Sequence, residues 1–262
     1  MTFPYELFVF DLDGTLLSPD SSLPQEAVEF LRALSERAKV TLATGRSLAS
    51  TRPYLRRLGI TTPTILYNGA VVIDPISERP LFMRRIPKEL ALKVLEVVRG
   101  FPVHPQVYRT VEDPWIVVAK IAPPIQKFLA KEGLPAREVG DLRKAVSQAP
   151  IKFLIVGEPG VLPALEQALR SEVPEVSVVR SESEYVEVLP PGVSKGEALA
   201  WLCNRLGVPP SRVVAVGDQR NDLAMIELAG LGVAMAHAPE EVRTRADLIV
   251  STIGELASRL DI

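Results

Sequence analysis

The sequence predicts an α/β fold in which one parallel sheet is assembled from both ends of the chain and a separate α+β unit is inserted between them. Three observations carry this. Strand-like and helix-like segments alternate over residues 7–73 and again after Pro190-Pro191-Gly192. Between those stretches the alternation gives way to adjacent strand-like runs joined by turns. Polar residues able to do chemistry fall directly after strand-like runs, at the strand ends where open parallel sheets hold ligands.

The elements follow in order. Residues 7–10 are a short apolar run ending at Asp11, the first strand. Residues 25–37 carry Ala27, Phe30, Leu31 and Leu34 at helical spacing, after a Pro24 that suits a first turn. Residues 39–43 read as a strand ending at Thr44-Gly45, and 48–58 as a helix closed by Gly59. Residues 64–67 and 70–73 are strands around Asn68-Gly69, a turn signal. In the middle, 87–99 reads as a helix and 103–109 and 115–121 as two strands. Helices are expected near 125–131 and 142–146. A strand at 152–156, a helix at 162–169 and strands at 176–179 and 185–189 follow. The alternation then resumes with helix 194–206, strand 212–216, helix 221–228, strand 231–234, helix 239–245 and strand 248–250. Short connections and right-handed crossovers bring early and late strands into one sheet, so residues 1–82 and 188–262 form one domain and 83–187 a second.

Composition narrows the class. Of 262 residues 47% are hydrophobic and 24% charged, with 30 basic against 32 acidic groups, as in a soluble globular protein. A disordered chain would be poorer in apolar residues. The longest uncharged stretch, residues 58–73, holds three Thr, a Pro and an Asn in 16 residues. A spanning helix needs ~20 mostly apolar residues, so no membrane partner is expected. The near-neutral balance gives no electrostatic reason to expect nucleic acid. A single cysteine, Cys203, excludes internal disulfides and suits a reducing, cytoplasmic compartment. Residues 1–10 lack a basic segment before their apolar run and carry Glu6, so no secretory leader is expected. The 23 Pro and excess of Arg fit either a heat-adapted source or a GC-rich genome.

The most informative segment is Asp11-Leu12-Asp13-Gly14-Thr15, just past the first strand. Leaving the strand as a loop lets both carboxylates point to one locale, and Gly14 permits the turn. Such a string arises by chance in about one of several hundred chains of this length. Thr44-Gly45-Arg46 also follows a strand, where a hydroxyl and main-chain N–H groups near a helix start can hold phosphate. Gly217-Asp218-Gln219-Arg220-Asn221-Asp222 puts two more carboxylates at a strand end, the donors a hard divalent cation needs. Lys195 opens a helix, against the helix dipole, a placement that points to a reason other than helix formation. Competing motifs fail. There is no nucleotide-binding Gly-x4-Gly-Lys loop, and Met235 breaks the dinucleotide pattern begun at Gly230. His104 and His237 have no Cys partners at metal spacing.

Taken in order, these four segments resemble the haloacid dehalogenase (HAD) superfamily of phosphohydrolases. The insertion between Thr44 and Lys195, with Tyr67-Asn68-Gly69-Ala70 and Val233-Ala234-Met235, resembles its Cof-like sugar-phosphatase branch. The resemblance implies a Rossmann-like core with an inserted α+β cap. It implies Asp11 as nucleophile, Asp13 as general acid and base, and Lys195 as a catalytic cation. Thr44, Gly45, Lys195 and Asn221 would bind the substrate phosphate. Mg²⁺ would be held by Asp11, the Asp13 carbonyl and Asp218, with Asp222 in support. The chain departs from the branch at Ala236-His237, where Gly-Asn is more usual.

The expected activity is Mg²⁺-dependent hydrolysis of a small phosphorylated metabolite, a sugar phosphate above all. Mannosyl-3-phosphoglycerate or sucrose-phosphate specificity, or a phosphomutase, stands as an alternative. A non-catalytic module binding a phosphometabolite is an alternative of another class. Tyr108, Arg109 and His104 are candidates to face the ligand, and the oligomeric state stays open.

Overall fold

The computed structural model describes residues 4–260. The first three residues of the segment 1–10, read above for a leader, lie outside them. In chain order, the elements begin with β1 (Leu7–Phe10), α1 (Gln25–Ser35), β2 (Lys39–Leu42), α2 (Leu48–Leu58), β3 (Thr64–Leu66), a 3-10 turn at Tyr67–Gly69, β4 (Val71–Ile73) and β5 (Pro80–Met83). Next are α3 (Lys88–Val98), β6 (His104–Tyr108), β7 (Ile116–Val118), α4 (Pro123–Glu132), β8 (Ala136–Glu138) and a 3-10 stretch at Leu142–Ser147. β9 (Lys152–Val156), α5 (Leu162–Glu172), β10 (Ser177–Glu182) and β11 (Tyr185–Leu189) follow. The chain ends with α6 (Lys195–Leu206), β12 (Val213–Gly217), a 3-10 turn at Arg220–Asp222, α7 (Leu223–Leu228), β13 (Leu231–Met235), α8 (Glu240–Arg243), β14 (Leu248–Val250) and α9 (Ile253–Arg259). The chain forms two compact units. One comprises Met1–Gly45, Thr51–Phe82 and Ser194–Ile262, the other Arg46–Ser50 and Met83–Val193.

The first unit is built on a parallel sheet of order β14-β13-β12-β1-β2. β1 lies between β12 and β2, with Phe10 opposite both Val216 and Leu42. All four β1 residues are buried, which is why the run is apolar throughout rather than alternating. The chain passes from β1 to β2 on one side, then re-enters as β12 on the other, so β1 and β12 meet where strand order reverses. Ligand crevices form at such points, beyond the carboxyl ends of the strands. The apolar stripe of α1 read from the sequence is buried, and Phe30 meets Phe10 edge-on at 6.3 Å. A parallel bridge from Ala43 to Ile65 leads from β2 to a small sheet of order β3-β4-β5, in which β3 and β4 pair antiparallel.

The second unit carries a sheet of order β10-β11-β9-β6-β7-β8. Its neighbours are antiparallel except for the parallel pair β7 and β8. One face packs Val107, Phe153, Ile155, Val186 and Val188 against α3 and α5. Gln106, Lys152 and Glu187 alternate with those residues and so point to the opposite face. There Lys152 Nζ donates to Glu187 Oε2 at 2.6 Å, 4.8 Å from the Tyr108 ring, and both charged side chains are buried. Lys152→Met leaves the Glu187 carboxylate buried without its partner and is expected to cost about 3–5 kcal/mol. In urea unfolding the Lys152→Met/Glu187→Leu double variant should recover much of that loss. Equal midpoints for wild type and Lys152→Met would refute the assignment.

Several elements differ from the sequence expectation. β5 was not foreseen, because Pro80 at its start hides the strand signal. β8 is three residues long and mostly exposed, too short for periodicity to register. The segment 142–146 is a 3-10 stretch capped by Asp141, not an α-helix. The helix expected at 221–228 divides into a 3-10 turn and α7. α9 was missed although its cap is visible in sequence: Thr252 Oγ1 accepts from the Glu255 N–H at 3.1 Å.

Candidate active site

Where β1 stops, the Asp11 N–H still donates to the Val216 carbonyl at 2.9 Å, so Asp11 leaves the sheet from a fixed backbone. The loop then folds around the Leu12 carbonyl, which accepts from the N–H groups of Thr15, Leu16 and Leu17. Gly14 has φ +79°, and a Cβ there would stand 2.3 Å from Asp218 Oδ2. Both the left-handed backbone and the close approach require glycine.

α6 starts beneath this loop. Ser194 Oγ accepts from the Glu197 N–H at 3.1 Å, and Lys195 opens the first turn with 1% of its surface exposed. Lys195 Nζ donates to Asp11 Oδ1 and Asp222 Oδ1, both at 2.6 Å. Two carboxylates thus outweigh the unfavourable helix dipole noted in the sequence. The other oxygen of Asp222 accepts from the N–H groups of Asp218 and Gln219, each at 3.0 Å. Asp218 in turn accepts from Thr15 Oγ1 at 3.3 Å and Gln219 Nε2 at 2.9 Å, with His237 Nε2 at 3.5 Å.

Burial shapes the ionisation here. It pushes the Asp11 carboxyl well above the ordinary aspartate range. Lys195 opposes the rise, and the charges of Asp222, Asp218 and Asp13 reinforce it. Burial, then the charge of Asp222, pushes Asp218 up to about 6. Burial alone would lower the Lys195 ammonium, but Asp11 and Asp222 outweigh it and hold the proton more tightly than usual.

One oxygen from each of Asp11, Asp218 and Asp222 lies within 4.8 Å of the others. Three buried carboxylates face one buried ammonium, so full ionisation leaves an excess of negative charge that a cation would offset. The donors are all oxygen, which suits a hard divalent ion. Because the folded carboxyl of Asp218 titrates at about 6 and an unfolded aspartate near 4, this group lowers stability as pH rises through that window. Below pH 4 it contributes nothing; above pH 6 the penalty is full, about 3 kcal/mol. Without divalent metal, the melting temperature of Asp218→Asn should therefore gain on wild type between pH 4 and 7. Added Mg²⁺ should raise the wild-type value more at pH 7.5 than at pH 5. A difference between the two proteins that does not change with pH would refute this account.

The remaining sequence-predicted residues fall around this cluster. Asp13 is partly buried beside Asp11, outside the three converging carboxylates. Thr44 and Gly45 follow β2, the strand paired with β1, and the Thr44 N–H donates to the Ile65 carbonyl at 3.0 Å. They connect to the last motif through Asn68. Its N–H donates to the Thr44 carbonyl at 3.0 Å, and its Oδ1 accepts from Asn221 Nδ2 at 2.9 Å. Thr15, Gln219 and His237 contact Asp218 without having been singled out. Thr15 lies within the first motif and His237 at the noted departure Ala236-His237, so both had a signal in sequence. Gln219 had none beyond its place in a loop.

Carboxylates clustered at the carboxyl edge of a parallel sheet, with a buried lysine against them, form a candidate active site at the place where such sheets hold ligands. The chain belongs to the haloacid dehalogenase-like hydrolases, whose family model matches residues 8–255. It is 30% identical to the HMP-PP phosphatase of Serratia proteamaculans, over 92% of this chain and 87% of that protein. It is 28% identical to the 5-amino-6-(5-phospho-D-ribitylamino)uracil phosphatase YitU of Bacillus subtilis, over 96% of this chain and 93% of that one. A crystal structure of a haloacid dehalogenase-like hydrolase from Bacteroides thetaiotaomicron matches with a TM-score of 0.85 at 30% identity, covering 98% of both chains. No helix among the described residues is long and apolar enough to cross a membrane.

Proposed function

We propose that this protein is a cytoplasmic, Mg²⁺-dependent phosphatase that hydrolyses a small phosphorylated metabolite, a sugar phosphate or similar monoester, through an aspartyl-phosphate intermediate. The observation that carries this reading is Lys195 Nζ held 2.6 Å from Asp11 and from Asp222, with the Asp218 carboxylate converging on both. Lys195 opposes the burial that raises the Asp11 carboxyl and so favours the carboxylate form that a nucleophile needs. An Asp11 oxygen attacks phosphorus as the bond to the leaving oxygen breaks, and Asp13 supplies that oxygen's proton. Asp13 then takes a proton from the water that attacks the phosphoenzyme, freeing phosphate and restoring Asp11. Thr44, the Gly45 N–H, Lys195 and Asn221 hold the phosphate oxygens.

Asp11 and Asp218, with the Asp13 carbonyl, would hold Mg²⁺. Asp222 supports it by charge, because both its oxygens are already engaged by Lys195 and two main-chain N–H groups. When bound, the ion supplies the positive charge that lets a phosphate dianion approach a carboxylate. Residues 1–82 and 188–262 would act as the catalytic domain and 83–187 as the element that selects the substrate. The two relatives' own substrates, both small phosphorylated molecules by name, support the substrate class.

The test is phosphate release from a panel of phosphosugars, phosphoglycerates, nucleotides and cofactor phosphates, with Mg²⁺ or with EDTA. Release that requires Mg²⁺ is expected, and the rank order narrows the substrate. No release from any member, or release unaffected by EDTA, would overturn the proposal. Sugar isomerisation between phosphate positions without net release would identify a mutase instead.

A further inference from the structure

The turn between β3 and β4 is more constrained than joining two strands demands. Tyr67, Asn68 and Gly69 have φ of 51°, 54° and 99°, three left-handed residues in a row. Such conformations are uncommon outside glycine, and they gather at sites where surrounding structure enforces them. Here the enforcement comes from three of the four motif segments. The Asn68 N–H holds the Thr44 carbonyl, Asn68 Oδ1 holds Asn221 Nδ2, and a Cβ on Gly69 would stand 2.1 Å from the Ser194 carbonyl, one residue before Lys195. Asn68 is 1% exposed, yet its Nδ2 has no hydrogen-bond partner among the described residues. Buried amide donors are nearly always satisfied, and one left open at a site points to a ligand acceptor.

We propose that Asn68 is a phosphate-binding residue, its Nδ2 donating to a phosphate oxygen while its Oδ1 fixes the Asn221 amide. The ligand class follows from the neighbours. Asn68 is bonded to Thr44 and Asn221, two residues assigned to the phosphate under the phosphatase reading, on which this inference rests. An anion's oxygen is the acceptor that a buried amide N–H takes best. The left-handed turn is then the device that brings the side chain of a strand connection into the phosphate cradle.

Two variants test this. Asn68→Gly keeps the left-handed turn without strain and removes the side chain. Asn68→Asp also tolerates that backbone and keeps the oxygen that accepts from Asn221, but replaces the donor with an oxygen that repels phosphate. Inorganic phosphate binding is read by calorimetry with Mg²⁺ present, and kinetics on p-nitrophenyl phosphate give KM and kcat separately. Both variants should weaken phosphate binding and raise KM by about 10-fold or more, the loss of a charge-assisted hydrogen bond, with KM changing more than kcat. Ligand-free Asn68→Gly also loses the bond to Asn221 and should melt somewhat below wild type, whereas Asn68→Asp keeps that acceptor, so phosphate binding is compared on variants shown by melting to be folded. Wild-type phosphate affinity in either variant overturns the assignment: in Asn68→Asp because the donor is not used, in Asn68→Gly because the side chain is not used. If wild type releases no phosphate from any ester, the phosphatase reading fails, and the calorimetric comparison still decides whether Asn68 holds the anion.

Discussion

Asp11→Asn is expected to lower phosphate release by about 10³-fold or more while leaving the metal-free protein at least as stable as wild type. The two halves have one cause. Asp11 is buried, and burial together with the charges of Asp222, Asp218 and Asp13 disfavours its ionised form. An amide of the same shape escapes both penalties. Lys195 does not become an orphan, since it keeps its 2.6 Å bond to Asp222, and an asparagine Oδ1 can still accept from it. The amide cannot form the acyl phosphate, so the chemistry stops. Phosphate release and thermal melting, measured on the same preparation in EDTA and in Mg²⁺, separate the two effects. A variant that retains a tenth of wild-type activity would show that another group attacks phosphorus. A variant that melts well below wild type would show that the Asp11–Lys195 pair stabilises the fold more than burial of the carboxylate destabilises it.

Lys195→Met should be the most damaging single change to the unit that carries the site. Its ammonium is fully enclosed and serves two carboxylates at once. A methionine fills much of the same volume and supplies no charge, so Asp11 and Asp222 face each other with nothing between them. Removing one side of a buried pair costs about 3–5 kcal/mol. The sign of the pH dependence follows. Without Lys195 the Asp11 carboxyl loses the one charge that opposes its rise, and the folded state carries a penalty only where that group would be ionised in the unfolded chain. The deficit in urea unfolding should therefore be largest near pH 7.5 and shrink toward pH 5 and below. Activity should be lost across the whole range, because the carboxylate form of Asp11 and the approaching phosphate both lose the cation that favours them. A deficit that does not change with pH would mean that lost packing, rather than uncompensated charge, is the cost.

These outcomes rest on features with unequal visibility in the sequence. Asp11, Asp13, Asp218 and Asp222 stand directly after apolar runs, and strand-to-loop placement at the carboxyl edge is a local property. The strands β1 and β12 were therefore legible, and so were the residues that follow them. Lys195 was legible by its oddity, a cation where the helix dipole is unfavourable. Weakly periodic elements were not: β5 begins with a proline, β8 has only three residues, two of them exposed, and the 142–146 segment lacks the length to sustain an α-helix.

What the sequence determined by itself is the list of chemical groups and the strand ends that carry them, because period and turn chemistry act over a few residues. What only the tertiary structure decided is which groups meet. Lys195 lies 184 positions from Asp11 and 27 from Asp222, and it bonds both. Asn221 reaches across 153 positions to Asn68, a residue that reads in sequence only as half of a turn. No local rule specifies such pairs. They follow from β12 entering the sheet beside β1, which sets Asp218 and Asp222 against Asp11, and from burial, which makes each unpaired charge or amide costly enough to demand a partner.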